Sequence, residues 1–125
     1  MGYNKGNDVA LGQLGSAYVT DENAFTPPTG RVIMAITMVE ATAFTALTPE
    51  IPTDATFRGS ATSGASDINC VGTVTPTAAN GSGADVLGSS DVFPAGITIY
   101  GRWKGFTLNE ITGEAKAGVI CYFAI

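Results

Sequence analysis

The chain has 125 residues, the size of one ordinary domain, and its 45% apolar and 14% charged side chains suit a folded chain with a single core. Its net charge of −5, with 6 Lys and Arg scattered from Lys5 to Lys116, provides no basic face of the kind nucleic acid requires. No apolar run approaches the roughly 20 residues of a membrane-crossing helix, the first residues lack the basic start and apolar middle of a secretory signal, and Gly6 stands where a myristoylation motif needs Ser or Thr.

Residues 1–30 are rich in Gly, Asn and Asp and close on Pro27-Pro28-Thr29-Gly30. Leu11, Leu14 and Tyr18 have helical spacing, but Gly12 and Gly15 inside the same window each cost a helix about 1 kcal/mol relative to Ala. The expectation is an extended N-terminal arm that lies on its own domain or across a neighbour, followed by a single β domain over residues 31–125.

Arg31 to Val39, RVIMAITMV, is apolar on both parities and rich in β-branched residues, which predicts a central strand covered on both faces. Glu40 to Leu47 continues as a weaker strand with Phe44 and Leu47 inward, and Pro49 and Pro52 then impose a loop. Thr56 to Arg58 and Asn69 to Thr75 read as short strands on either side of a surface loop at 59–66. Residues 76–90 form a second polar loop, with Asn80-Gly81 suited to a hairpin turn.

Phe93 to Leu108 carries the clearest alternation. Ile97, Ile99 and Trp103 fall on one parity, and Thr98, Tyr100, Arg102 and Lys104 on the other, as in a strand with one buried face. Pro94 and Gly96 mark its start, and at Gly105 the parity shifts to Phe106 and Leu108, which predicts a bulge or sharp bend. After a turn around Gly113, Lys116 to Ile125 returns as an interior strand. Its apolar last residue implies burial of Ile125 in the domain or under a partner. Several short strands without a convincing helix define the expected fold: all-β, a small β-sandwich or jelly-roll-like barrel.

The search for reactive groups yields little. The chain has no His, the commonest general base and metal ligand. Cys70 and Cys121 are read as two buried strand residues or as a disulfide, and neither lies in a Cys-x-x-Cys motif. Asp21-Glu22-Asn23 lacks the offsets of a calcium loop and reads as a solvated turn, and Asp85 and Asp91 read as turn formers. Gly81-Ser82-Gly83 lacks the setting of a phosphate loop. No catalytic, cofactor or metal residues are assigned, and no enzyme is expected.

Tyr100, Arg102 and Trp103 belong to the residue types that dominate interface hot spots. They read either as a core Trp beside an ordinary polar face or as an exposed aromatic shelf for a protein or carbohydrate. With Tyr18, Phe25, Tyr122, Phe123 and Ile125 they make up the candidate subunit-contact set.

The block Phe93-Pro94-Ala95-Gly96-Ile97-Thr98-Ile99-Tyr100-Gly101-Arg102-Trp103, followed by Gly118-Val119-Ile120-Cys121-Tyr122-Phe123, resembles the C-terminal end of small virion structural proteins of tailed bacteriophages, particularly aquatic and cyanobacterial ones. The run Arg31 to Thr37 is similar to the strand near the middle of that family. The resemblance implies a head decoration, or cement, protein: a homotrimer on the outside of the capsid, partnered by the major capsid protein and assembled in the host cytoplasm, with no cofactor. A tail, fibre or baseplate component and a free carbohydrate-binding β-sandwich using Tyr100 and Trp103 are the alternatives.

Overall fold

A computed structural model describes residues 14–50, 70–75, 83–109 and 117–125. The expected strand at Thr56–Arg58, the 59–66 loop, the Asn80-Gly81 turn and the turn around Gly113 lie outside the described residues. The described chain is all-β, with five strands: β1 (Ser16–Val19), β2 (Val32–Met38), β3 (Ala43–Pro49), β4 (Thr98–Asn109) and β5 (Val119–Ala124). They form one antiparallel sheet in the order β1-β5-β2-β4-β3.

The starts of β2 and β4 follow from local chemistry. Before β2, the Arg31 N–H donates to the Pro28 carbonyl at 3.0 Å, and Gly30, third in that turn, has φ +83°, a backbone angle natural to glycine there. The β-branched run that follows takes the middle of the sheet between β5 and β4. Before β4, Gly96 turns at φ +92°, and the Met38 N–H and carbonyl bond Ile97 and Gly96 respectively, which ties the lead-in of β4 to the end of β2.

β4 organises the sheet because its two halves serve different neighbours. Thr98 to Trp103 pairs with β2, whereas Trp103 to Asn109 pairs with β3. The register slips between Thr48↔Gly105 and Pro49↔Trp103, so the parity change expected at Gly105 is a bulge in the ladder. Thr37 pairs with Thr98, and Ala43 with Asn109. A straight β4 would hold those two partners about 36 Å apart, at ~3.3 Å per residue. The chain from 37 to 43 spans at most about 22 Å. β4 therefore bends, and the sheet curls over its own core face, bringing Thr42 against Phe93 (N–H to carbonyl, 2.9 and 2.7 Å).

The concave side of this curl holds the core: Trp103, Ile33, Ile36, Met38, Phe44, Leu47, Phe106, Leu108, Val119, Cys121 and Phe123 are buried. Phe44 meets both Phe106 and Phe93 edge to face, each at 5.9 Å between ring centroids. Leu87 and Cys70 pack on this cluster from the connecting segments.

Residues 70–75 are not a strand, contrary to the reading of Asn69 to Thr75 from its apolar content. They run along the outer edge of β3. The Thr73 N–H donates to the Leu47 carbonyl (2.8 Å), and the Leu47 N–H donates to Thr73 Oγ1 (2.9 Å). A threonine hydroxyl thus takes the place of a ladder carbonyl. Gly72 lies so close to the Leu47 carbonyl and the Pro49 ring that no Cβ fits there.

Candidate contact surface

The eight residues singled out from the sequence divide between the two sides of the sheet. Trp103 is fully buried, and its indole N–H donates to the Val71 carbonyl at 2.7 Å, so the ring is core with its polar tip satisfied. Gly101 makes room for it: a Cβ there would lie 2.8 Å from the Trp103 ring and 2.9 Å from Cys70 Sγ. Phe123 is also buried and stacks on Phe25 (6.1 Å, 8° between planes). Phe25 in turn tilts over Phe106 at 5.2 Å and exchanges backbone hydrogen bonds with it at 2.8 and 3.1 Å. These three belong to the core. The shelf of Tyr100 beside Trp103 does not form, because Gly101 and Cys70 close the core over the indole.

The other five lie on the convex side or at its rim. Tyr18 is 63% exposed, Tyr100 71% and Ile125 69%, while Tyr122 and Arg102 are half-buried. Register places most of them in two transverse rows. One runs Ser16–Tyr122–Ala35–Tyr100 and the next Tyr18–Ile120–Thr37–Thr98 across β1, β5, β2 and β4. No position in either row carries charge, in a chain of net −5. Thr37 and Thr98 share a hydroxyl hydrogen bond at 2.8 Å, which satisfies two polar groups on this face.

Charge lies beyond the rows, with Glu40 near Tyr18 and Gly118 at one end and an ion pair at the other. Arg102 Nε donates to Glu50 Oε1 at 2.8 Å, and its Nη1 donates to the Ile125 carbonyl at 3.0 Å. Since β2 lies between β4 and β5, the guanidinium reaches across it and pins the end of β5. Sequence reasoning saw Arg102 as an interface donor and missed this internal use, since nothing local links it to Glu50 or Ile125.

The described residues offer limited chemistry. Among them no group of three His, Cys, Asp or Glu could hold a metal ion. Both cysteines are free thiols. Burial pushes the Cys70 thiol up from its ordinary value and raises Cys121 to about 11, so neither is a thiolate near neutral pH. Asp21 and Asp91 are turn formers: Asp21 Oδ1 accepts from the Asn23 N–H (3.0 Å), and Asp91 Oδ2 from the Gly88 N–H (2.7 Å). A shallow groove beside the bulge has Thr26, Thr48, Lys104 and Thr107 around Gly105, with no carboxylate among its lining residues.

No protein-family model matches the chain, and no curated protein or solved structure matches it either.

Proposed function

We propose that this chain is a structural subunit of a tailed-phage head, a decoration protein that sits on the outside of the shell and works by contact area. The observation that carries the reading is the convex face: tyrosines at 18, 100 and 122 with Ile120, uncharged over two full rows and backed by a closed core. Tyrosine-rich, charge-depleted patches are what the centre of a protein interface requires. The three segments that resemble virion proteins, 31–37, 93–103 and 118–123, also contribute the adjacent strands β2, β4 and β5, so the likeness falls on one contiguous piece of sheet. In this reading the curled sheet is half of a small sandwich or jelly-roll-like barrel.

The mechanism is mechanical. A subunit that binds the expanded shell more tightly than its precursor, or than dissociated coat protein, stabilises it by mass action, in proportion to RT ln(1 + [L]/Kd). Assembly takes place in the host cytoplasm, with the major capsid protein as partner. The test is to add purified protein to expanded shells lacking it. Co-sedimentation at a copy number comparable to the coat protein, with a rise in shell melting temperature, is the expected result. A few copies per particle would assign it to the tail, fibre or baseplate, and glycan binding without shell affinity would make it a lectin.

A further inference from the structure

The two edges of the sheet are finished differently. The β3 edge is covered at three points: Thr42, just before the strand, pairs with Phe93, Thr73 takes both the N–H and the carbonyl of Leu47, and Pro49 has no N–H to offer. At the other edge, Phe123 N–H donates to the Gly15 carbonyl (2.9 Å), which fixes the alternation along β1. Gly15, Ala17 and Val19 turn their backbone groups toward β5, and Ser16 and Tyr18 turn theirs away. Among the described residues nothing pairs with those outward groups. The strand is also free of charge, so neither Lys nor proline guards it.

We propose that two copies of this chain join edge to edge through β1, antiparallel about a twofold axis at Ala17, with Ser16 opposite Tyr18 of the partner subunit. Parity selects this register. Ser16 and Tyr18 are the residues whose N–H and carbonyl groups face outward, so they must form the hydrogen-bonded pairs, and Ala17 meets its own copy at the non-bonded position on the axis. Both side chains of the bonded pair then stand on the convex side, and each row continues from one subunit into the next as Tyr122–Ser16 followed by Tyr18 of the partner subunit. Joining β1 to β1 gives a closed pair, whereas a ring or filament would also need the β3 edge, which Phe93, Thr73 and Pro49 cover in part. The trimer implied by the resemblance would have to form through faces. The pairing goes beyond the decoration reading and does not depend on it.

Sedimentation of the full chain from low micromolar to near-millimolar concentration is expected to show monomer converting to dimer. Tyr18→Pro removes an outward N–H and leaves the ladder to β5 intact. It is expected to weaken the dimer about tenfold to a hundredfold, the loss of two symmetry-related hydrogen bonds, with the melting temperature nearly unchanged. Tyr18→Phe keeps the N–H and should keep the dimer. If Tyr18→Pro fails to fold, Ala17→Cys decides, made together with Cys121→Ala because Cys121 lies opposite Ala17 in its own chain: non-bonded antiparallel partners lie about 4.5 Å apart at Cα, within disulfide reach, so mild oxidation should link copies through position 17. A monomer at every concentration, a trimer, or a dimer indifferent to Tyr18→Pro and not linked through position 17 overturns the proposal.

Discussion

The two sides of β4 use the same kinds of residue for opposite purposes. On the concave side, Trp103 is enclosed with its N–H bonded, and the absence of a Cβ at Gly101 is part of the enclosure. On the convex side, Tyr100 stands 71% exposed in an uncharged row. An aromatic side chain three residues away can thus be worth several kcal/mol to the fold or almost nothing. The difference lies in what the neighbouring segments cover.

Substitutions at these positions break or sharpen the contrast. Trp103→Ala should cost the most, about 3–5 kcal/mol of unfolding free energy, read as a lower denaturant midpoint at unchanged slope. Gly101→Val places methyl groups where Trp103 and Cys70 already sit and should cost about 1–3 kcal/mol by overpacking. Thermal melts should place it between Trp103→Ala and the convex-side change at Tyr100.

The third effect depends on pH. Cys121 is fully buried on the concave side, and its folded pKa of about 11 lies above the ordinary 9.0 of the unfolded thiol. On alkaline titration the unfolded chain loses this proton first, so the contribution is complete below pH 9 and is lost as pH rises through about 11. The loss is on the order of 1 kcal/mol by pH 10. The check is the slope of stability against pH from 8 to 10.5: it should be flatter in Cys121→Ala than in the wild type, which isolates the contribution of the thiol. The smallest effect belongs to the convex side. Tyr100→Ser should change stability by less than about 0.5 kcal/mol while weakening shell binding in a co-sedimentation assay. A large loss of stability there would erase the distinction between the sides.

Much of this architecture was legible in the residues. The doubly apolar run at 31–39 marked the middle of the sheet, the alternation from Ile97 to Trp103 marked β4, and the parity change marked the bulge at Gly105, because each depends on neighbours close along the chain. Segment 70–75 was not legible. Its apolar residues suggested a strand, but its conformation follows from Leu47 and Pro49, which lie more than twenty positions away. Trp103 is a similar case. Alternation assigned it a side and could not say that Cys70 and Val71 would close that side. Of the eight contact candidates, Trp103, Phe123 and Phe25 were chosen for their chemistry alone, and the fold uses that chemistry internally.

The pairing of Ser16 with Tyr122 has a kinetic corollary. The first strand of this sheet has no partner until a segment about a hundred positions downstream exists, so its closure is a long loop event of the kind that makes β proteins slow to fold. During synthesis on a ribosome, β1 emerges well before β5 does. A chaperone that shields short, neutral strands would find its target here, and refolding after dilution from denaturant should register the docking of β1 as a late step.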